Sequence, residues 1–423
     1  MDMKRNWAGN FQYSTTNWHE PESVEEVQQL VSRLTKLRVI GTGHSFNSIA
    51  DSNENIVSLQ KINKVLSIDR EKESVTVQGG IKYGDLCHVL QQHGYALHNL
   101  ASLPHISVAG ACSTATHGSG NSNQNLAAAV RAMDVVTADG NIATFSREKS
   151  KEELQGAVVG LGGLGIVLRL TLDVLPSCQL RQDIYENLPL AQLAHDIDTI
   201  FSSAYSVSLF TDWQDEMFNQ VWLKSKLMDD QTFSLGEDFY GAKAAKENLH
   251  PVPGVGAENC TAQLGVPGDW LDRLPHFRMD FTPSKGQELQ SEYIFAREHA
   301  YDALCAISEI REQIAPHLLI SEVRTIAQDE LWMSPSYKQD SVAIHFTWQD
   351  KWAEVQQVLP IIEAQLEPFQ AKPHWGKLFT TSPAKIQSLY EKMPDFQQLL
   401  MKYDPTSKFR NDFLNRYIFN EVE

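Results

Sequence analysis

Three segments in the second half of the chain carry hydrogen-bonding side chains on alternate residues. Side chains two positions apart in a β-strand point to the same face, so each pair would present its polar groups together. Carboxylate, guanidinium and imidazole groups can bind several hydroxyl groups, and an imidazole can also accept a proton. With the cation Lys377 they predict a polar cavity. The pairs are Gln290 with Glu292, Glu322 with Arg324, and His345 with Thr347.

Two of these pairs also have a simpler interpretation. Glu322 and Arg324 alone are more often an ion pair on an exposed sheet face, and His345 alone is more often a buried histidine with its hydrogen bonds satisfied. Three such faces in one half of the chain, together with Lys377 after the turn residue Gly376, favour the cavity. A ligand with several hydroxyl groups would need this many donors and acceptors in a site that holds little water.

A long uncharged stretch lies in the first half of the chain. No Asp, Glu, Lys or Arg occurs from Leu86 to Val130, although 21% of all residues are charged and five of the 14 histidines fall there. The stretch is rich in Gly, Ser, Thr and Asn. Backbone N–H groups and hydroxyl groups can bind a large, partly polar ligand without the desolvation penalty of a buried charge. We therefore expect residues 99–120 to form a bed for a cofactor.

A second loop of small residues, Gly41-Thr-Gly-His-Ser45, follows a predicted strand. Its glycines permit a tight turn that exposes backbone N–H groups to an anion. His44 taken alone is more often a loop residue with one hydrogen bond. Two separate loops of Gly, Ser and Thr with histidines in one predicted domain instead fit a long ligand with two ends, such as a dinucleotide.

The motif Gly160-x-Gly162-x-x-Gly165 has the glycine spacing of the dinucleotide-binding fingerprint but not its predicted secondary structure. That fingerprint requires a strand before it and a helix after it, so that a pyrophosphate meets a helix N-terminus. Here a helix is predicted before the motif, and the alternating residues Ile166–Leu175 predict a strand after it. We expect a glycine-rich turn approached by a ligand or by another backbone, not a nicotinamide-binding domain.

Strand and helix signals alternate in the first part of the chain. A capping box, Ser23-x-x-Glu26, begins a helix, and Ala138-Asp-Gly140 joins two strands of a hairpin. Residues 227–268 are expected to be irregular. Helices are predicted at Val24–Leu34, Tyr83–His93 and Glu152–Val159. Strands are predicted at Leu37–Ile40, Asn55–Leu59, Ser74–Gln78, Val130–Thr137, Asn141–Phe145, Ile166–Leu175, Glu288–Phe295, Leu319–Ile326 and Ser341–Trp348.

The size and charge of the chain limit its class. A length of 423 residues predicts two domains. The formal net charge of −17 argues against nucleic acid and anionic membranes as partners, and implies that backbone donors hold any phosphate. The N-terminus lacks the apolar core of a signal peptide and no run of about 18 apolar residues occurs, so a cytoplasmic location is expected. Five scattered cysteines without a C-x-x-C pair predict reduced thiols, and no metal site is predicted.

Several segments around these loops resemble the flavin-binding domain of the vanillyl-alcohol oxidase family. They are Val39–Phe46, Ser107–Gly118 and Gly162–Ile166. Within that family the chain is similar to the alditol oxidases in four further segments, Leu97–Ser107, Ser206–Trp213, His345–Trp348 and Pro373–Phe379. The resemblance implies an α+β, two-domain PCMH-type FAD-binding fold. Its parts would be a FAD-binding domain at residues 1–176, a mixed-sheet substrate-binding (cap) domain at 177–370, and a C-terminal segment at 371–423 that returns to the FAD site.

The resemblance implies FAD as the cofactor, attached covalently from the ring of His44 to the flavin methyl group. Relatives with a doubly attached flavin have a cysteine immediately before the proline of the second loop; Leu103 stands there, so one attachment is expected. In the implied arrangement, the first loop contacts the pyrophosphate of FAD. Ile166 contacts the adenine end, and His374 contacts the pyrimidine side of the flavin. The full set is Gly41, Thr42, Gly43, His44, Ser45, Ser102, Ser107, Gly110, Thr114, Ala115, Thr116, His117, Ile166 and His374.

The resemblance also implies an oxidation. The expected reaction converts the terminal hydroxyl group of an acyclic alditol, such as xylitol or sorbitol, to the aldose, and reduces O2 to H2O2. His345, tuned by Lys377, is the candidate for accepting the hydroxyl proton, while Glu322 and Arg324 would bind neighbouring hydroxyl groups. The residues implied around the substrate are Ser102, Gln290, Glu322, Arg324, His345, Thr347 and Lys377.

Two alternatives remain at this point. One is a sugar-1,4-lactone oxidase of the same fold, because such relatives also show Glu-x-Arg and His-Trp-x-Lys patterns. The other is a non-catalytic sugar-binding or scaffold protein. The expected partners are a small polyol and O2, bound by a monomer.

Overall fold

A computed structural model describes residues 3–227, 236–280 and 288–421 of the chain. It is an α+β structure in which short helices flank several sheets. Its α-helices are α1 (Val24–Arg33), α2 (Tyr83–Gln92), α3 (Val108–Ser113), α4 (Lys151–Ala157), α5 (Leu193–Ser202), α6 (Ala300–Glu309), α7 (Arg311–Ile314), α8 (Trp352–Leu366), α9 (Pro383–Leu389), α10 (Met393–Tyr403) and α11 (Asp412–Tyr417).

The strands predicted from the sequence are all present, with ends that differ by no more than two residues. The strands are β1 (Trp18–His19), β2 (Arg38–Ile40), β3 (Ile56–Ser58), β4 (Val65–Asp69), β5 (Ser74–Gln78), β6 (Tyr95–Ala96), β7 (Val130–Val136), β8 (Ile142–Ser146), β9 (Ile166–Asp173), β10 (Leu175–Pro176), β11 (Gln179–Pro189), β12 (Ser206–Thr211), β13 (Met217–Lys226), β14 (Asp238–Phe239), β15 (Ala242–Ala244), β16 (Gly268–Asp269), β17 (Glu288–Ala296), β18 (Leu318–Ile326), β19 (Ser341–Gln349) and β20 (Lys372–Pro373).

Two small sheets organise the first half of the chain. Strands β1, β3 and β2 form a parallel sheet, and β4, β5, β9, β7 and β8 form an antiparallel one in that order. The predicted hairpin between β7 and β8 is confirmed, with Gly140 at a φ of +81°. The sequence patterns did not predict β4 or α3. Helix α3 was not predicted because its Gly, Ser and Cys residues are poor helix formers.

A larger sheet dominates the second half. Its strand order is β14-β15-β11-β13-β12-β18-β19-β17-β20, and β16 pairs with β11. One face of the central strands is apolar: Val323, Ile344 and Phe346 are fully buried in one core with Leu304 of α6 and Leu359 of α8. Because side chains alternate along a strand, the residues between them project to the opposite face. That opposite face carries the polar pairs.

Helices α9, α10 and α11 pack back onto the first half of the chain. Ile386, Phe396 and Leu414 lie in one hydrophobic core with residues of β5, β7 and β9. The domain limits expected at residues 176 and 370 stay predictions. Of the helices described, none is long and apolar enough to cross a lipid bilayer.

The segment expected to be irregular is so wherever the structure describes it. Residues 228–235 lie outside the described residues, and the remainder of 227–268 contributes only β14, β15 and the first residue of β16. Several of its side chains, including Leu249, Val252 and Ala257, pack beside Trp222 and Phe210 of the large sheet. The segment thus covers part of that sheet without forming regular elements of its own.

The glycine motif at residues 160–165 lies between α4 and β9, which confirms that it lacks the order of a dinucleotide fingerprint. A Cβ atom on Gly165 would lie 2.2 Å from the carbonyl oxygen of Val136. The close approach that requires glycine at position 165 is therefore made by another backbone.

A buried guanidinium holds this turn in place. Arg38 is 2% exposed, and its Nη1 and Nη2 atoms donate to the carbonyl oxygens of Gly162 and Leu161 at 2.9 and 2.8 Å. The same side chain donates to the carbonyl oxygens of Phe409, at 2.7 Å, and Ile49. It therefore joins the glycine turn to the C-terminal segment and to the loop after β2.

We predict that Arg38→Met lowers the free energy of unfolding by about 3 kcal/mol or more, because several buried carbonyl groups lose their donors together. Urea unfolding followed by tryptophan fluorescence measures this change. Arg33→Met on the exposed side of α1 is the matched control and should change stability by less than about 0.5 kcal/mol. Equal losses in both variants would contradict the role given to Arg38.

Candidate active site

The two glycine-rich loops predicted to bind a cofactor meet each other. The backbone N–H of Ser107 donates to Thr42 Oγ1 at 3.3 Å. A Cβ atom on Gly41 would lie 2.1 Å from Ser107 Oγ, and one on Gly110 would lie 2.7 Å from it. The small size of Gly41 therefore lets the first loop approach Ser107 closely, while Gly110 leaves room for the Ser107 hydroxyl group within its own segment. Gly41, Thr42 and Gly110 remain at least partly exposed, so the junction forms an accessible surface.

A third segment, residues 374–378, joins these loops from far along the chain. Phe46 N–H donates to Gly376 O at 2.8 Å. Asn47 Nδ2 donates to the carbonyl oxygens of Trp375 and Lys377 at 2.9 and 2.8 Å. These bonds bring His374 and Lys377 beside the loop that carries His44.

His44 has a half-buried ring between two neighbours. Its Nδ1 atom lies 2.9 Å from Thr42 Oγ1, and its ring stacks on Trp7 with centroids 5.0 Å apart. Burial, followed by the nearby His105, lowers the pKa of His44 to about 4. The imidazole is therefore neutral at physiological pH.

An N-terminal turn at residues 6–10, which the sequence patterns did not predict, holds the His44 loop through hydrogen bonds. Asn6, Trp7 and Asn10 each donate a hydrogen bond to a backbone carbonyl group of that loop. No helical or strand periodicity marks this turn, so only its Asn and Trp content signalled it. The bonds run from Asn6 Nδ2 to Ser45 O (2.9 Å), from Trp7 N to Gly43 O (2.8 Å) and from Asn10 Nδ2 to Phe46 O (2.8 Å).

The register of the large sheet aligns the polar pairs. Glu322 of β18 pairs with His345 of β19, and His345 pairs with Glu292 of β17. Gln290 and Thr347 form the adjacent pair. Paired residues of antiparallel strands project to the same face, so these side chains form two neighbouring rows across three strands.

Glu292 is the hub of this polar face. Its Oε1 atom accepts from Arg324 Nη2 at 2.7 Å and lies 3.3 Å from His117 Nε2. Its Oε2 atom accepts from Lys377 Nζ at 2.7 Å. Burial alone would raise the pKa of the Glu292 carboxyl, but Lys377, His117 and Arg324 together hold it well below its ordinary value. One carboxylate therefore pairs with two cations from different parts of the chain.

His345 lies between the two carboxylates of the row. Its Nε2 atom is buried and has no hydrogen-bond partner among the residues described. Burial, and then the Lys377 ammonium, lower the pKa of His345 well below its ordinary value. A neutral imidazole with an unused ring nitrogen can accept a proton from a ligand.

His117 and His374 connect this face to the loops. His117 is 4% exposed and its Nδ1 atom lies 2.9 Å from Gly118 O. His374 N–H donates to Glu292 O at 2.9 Å, and its Nδ1 atom accepts from Gly376 N–H at 3.1 Å. Burial, followed by Lys377, lowers the pKa of His374 to about 3.

The remaining predicted residues lie around these groups or in the core. Ser102 is partly exposed in the loop before α3, and Ala115 has a φ of +55° between Thr114 and Thr116, whose hydroxyl groups are 3.3 Å apart. The side chain of Ile166 is fully buried in a core with Val27 and Val57, so any contact with a cofactor would come from its backbone. The roles of all these residues stay predictions.

Comparisons with known proteins support the sequence resemblance. A family model described as "FAD binding domain" matches residues 18–146, and one described as "D-arabinono-1,4-lactone oxidase" matches residues 282–417. An alditol oxidase from Streptomyces sp. is 47% identical over 412 residues, which cover 97% of each protein. The chain belongs to the vanillyl-alcohol oxidase family of FAD-dependent oxidoreductases. Within this family, the resemblance to alditol oxidases is confirmed.

More distant relatives extend the family relationship. L-gulonolactone oxidase from Mus musculus is 25% identical over 98% of both chains. Among solved structures, cholesterol oxidase from B. sterolicum superimposes with a TM-score of 0.79 at 12% identity, covering 98% of this chain and 96% of the other. Carbohydrate oxidase from Microdochium nivale gives a TM-score of 0.74 at 14% identity, covering 99% and 94%. These structures confirm the two-domain PCMH-type fold.

The loops of this flavoenzyme fit the FAD that the family uses. Residues 41–45 and 99–120 contain no Asp or Glu, so no carboxylate there would repel a diphosphate. Glycine backbone and the hydroxyl groups of Thr42, Thr114 and Thr116 supply donors at the partly exposed junction. These uncharged donors therefore suit an anionic ligand such as a diphosphate.

We predict that Glu292→Gln lowers the free energy of unfolding at pH 7 by about 3 kcal/mol, because Lys377 loses its carboxylate partner and Arg324 loses the closer of its two. The pKa of Glu292 is lower in the folded than in the unfolded state, where it is near 4.5. Its stabilisation is therefore complete above that pH and is lost as the pH falls further. Unfolding of both proteins between pH 3 and 7 should show a difference that shrinks below about pH 4.5.

The control for this pH series is Glu298→Gln, whose parent side chain is 79% exposed. It should leave stability almost unchanged at every pH. A Glu292→Gln deficit that stays constant down to pH 3 would contradict the buried ion cluster.

Proposed function

We propose that this enzyme oxidises the terminal hydroxyl group of acyclic alditols such as xylitol and sorbitol to the aldose, with O2 reduced to H2O2. The observation that carries the proposal is the row Glu322–His345–Glu292, flanked by Arg324 and Lys377 on one sheet face. A linear polyol presents several hydroxyl groups along its length, and the row offers acceptors to them while the flanking Arg324 and Lys377 offer donors. The 47% identity to a protein named alditol oxidase supports the same substrate class.

FAD, when bound, supplies the oxidising chemistry by accepting a hydride from the substrate carbon and passing electrons to O2. The protein would hold it through Gly41 to Ser45, Ser107, Gly110 and Thr114 to His117, with His374 on the pyrimidine side. We propose that His44 carries it through a covalent bond. The neutral ring of His44, fixed by Thr42 and Trp7, has a lone pair available for such a bond.

His345 accepts the proton of the reacting hydroxyl group at Nε2. That atom is buried, and the lowered pKa of the ring keeps it unprotonated at neutral pH. Lys377 tunes this group: its ammonium disfavours a second positive charge nearby. The proton passes from the terminal hydroxyl as the carbon becomes a carbonyl.

Glu322 and Arg324 bind the neighbouring hydroxyl groups. Glu322 accepts and Arg324 donates, and their charges compensate at 3.5 Å between Glu322 Oε2 and Arg324 Nε. Gln290, Thr347 and Ser102 extend the polar surface for the rest of the chain of hydroxyl groups.

A second candidate substrate is a sugar 1,4-lactone. The match of residues 282–417 to a lactone oxidase model favours it, because this region carries most of the polar face. The two candidates differ in shape: a lactone is a compact ring, whereas the row extends across three strands. Peroxide release across a panel of alditols, aldoses and aldonolactones decides between them.

We predict that the flavin remains with the acid-precipitated protein and that His44→Ala releases it to the supernatant. Flavin fluorescence of the pellet and supernatant measures the covalent fraction. His93→Ala, at the exposed end of α2, is the control and should retain the covalent flavin. Free flavin from the unmutated protein would exclude the attachment.

We predict that xylitol and sorbitol have higher kcat/KM values than any 1,4-lactone. We also predict that His345→Ala slows the anaerobic bleaching of the flavin by xylitol about 10²-fold, because the variant loses a general base. The absorption spectrum of the bound flavin should be unchanged. A higher kcat/KM for a lactone would favour the second candidate. Near-normal bleaching in His345→Ala would remove His345 from the proton transfer.

A further inference from the structure

A buried lysine and a buried histidine lie behind Glu322 and take no part in the chemistry proposed above. Lys224 of β13 is 1% exposed, and His276 is 6% exposed. Lys224 Nζ donates to Leu274 O (2.5 Å), Pro275 O (3.0 Å) and His276 Nδ1 (3.1 Å). Burial lowers the pKa of Lys224 to about 7, while the Glu322 charge acts in the opposite direction. In its ammonium form the group has three N–H donors, so these bonds use all of them.

The lysine fixes which nitrogen of His276 carries the proton. Because Nδ1 accepts from the ammonium, the ring proton of the neutral imidazole must lie on Nε2. Nε2 is 2.8 Å from Glu322 Oε1, so His276 donates to the carboxylate. Burial, followed by the charge of Lys224, lowers the pKa of His276 to about 4, which keeps the ring neutral.

The ring cannot turn freely to exchange these partners. Phe210 and Trp222 contact it edge-on, with centroids 5.5 and 5.2 Å away. Phe210 is the residue paired with Glu322 across β12 and β18. The same packing that holds the imidazole therefore also borders the carboxylate that it binds.

Only one oxygen of Glu322 is used in this way. In the part of the chain that the structure describes, Oε2 makes no hydrogen bond and has only the 3.5 Å ion-pair contact with Arg324 Nε. A carboxylate with one oxygen fixed keeps its second oxygen in a defined direction as an acceptor.

We propose that Lys224 and His276 are positioning residues for substrate binding: Lys224 orients His276, and His276 holds Glu322 so that its second oxygen accepts a substrate hydroxyl group. This inference rests on the proposed function, because it assigns Glu322 to the polyol. Since the pair acts on a binding group rather than on the reacting atoms, its loss raises KM more than it lowers kcat.

A purely structural role predicts a different outcome. Lys224 also ties down the carbonyl groups of Leu274 and Pro275, so its loss could simply loosen that turn. Such damage would not depend on the identity of residue 322. Coupling between His276 and Glu322 separates the two roles.

The first arm of the experiment compares KM and kcat for xylitol in matched variants. His276→Phe and Lys224→Met should raise KM about 10-fold or more, the effect of losing a hydrogen bond to a charged group, and change kcat less than threefold. His276→Gln keeps an N–H donor near the position of Nε2 and should recover most of the KM. Lys408→Met is the control, since Lys408 is 8% exposed and donates to Val31 O in another part of the molecule.

The second arm repeats His276→Phe in a Glu322→Gln background. If His276 acts through Glu322, its effect on KM falls to less than twofold there. An undiminished effect in that background, or no recovery in His276→Gln, overturns the proposal.

The third arm uses no substrate and separates this inference from the proposed function. In protein labelled with [15N]histidine, the resonances of His276, assigned with the His276→Gln variant, should show a neutral ring protonated at Nε2. That pattern should be lost in Lys224→Met and kept in Lys408→Met. Absence of alditol oxidation by the unmutated enzyme would refute the proposed function, whereas a proton on Nδ1 would refute the positioning chain itself.

Discussion

The candidate active-site face depends on one buried carboxylate, Glu292, that pairs with two cations, while Glu322 supplies the second negative charge. Arg324 and Lys377 would repel each other, and each would carry a large desolvation penalty, without the two 2.7 Å bonds to Glu292. The partners come from β18, from the segment after β20 and, through His117, from the first half of the chain. The cluster therefore forms only when both halves have folded and docked, which makes the site a product of tertiary structure.

The loop side and the sheet side of the candidate site stabilise their buried polar groups in different ways. The loops around His44 and Ser107 use no charged side chain and rely on backbone and hydroxyl donors. The sheet face instead concentrates charge and balances it by pairing. Burial lowers the pKa of His44 and His374 at the border to about 4 and 3, so they add no positive charge there at neutral pH. The loops can thus hold an anionic cofactor beside a face whose own charges are already balanced.

The sequence patterns predicted the strands of the site and the face on which each polar pair lies, because alternation is a local property of a strand. They did not predict that Glu322, His345 and Glu292 share one row, because register depends on which strands pair and how they align. Glu292 was recognised only as a same-face partner of Gln290, and its hub role became visible with Arg324 and Lys377 in place. Lys224 and His276 carried no signal, since each acts through a contact distant in sequence. The family resemblance has a different limitation at Ile166, whose side chain is buried. The resemblance identifies the position but does not say whether the side chain or the backbone would contact the cofactor.

The placement of the polar row on strands explains why the site can be rigid. Phe346 lies between His345 and Thr347 and is fully buried, as are Val323 between Glu322 and Arg324 and Tyr293 beside Glu292. Each functional side chain is thus flanked in sequence by one that is fixed in the core, so it cannot shift without disturbing packing. Ser102 lies outside regular elements, between the partly exposed residues Ala101 and Leu103, and has no such constraint. A change in the shape of the candidate site is therefore most easily accommodated at loop positions such as Ser102, while the strand-borne groups stay fixed by their packed neighbours.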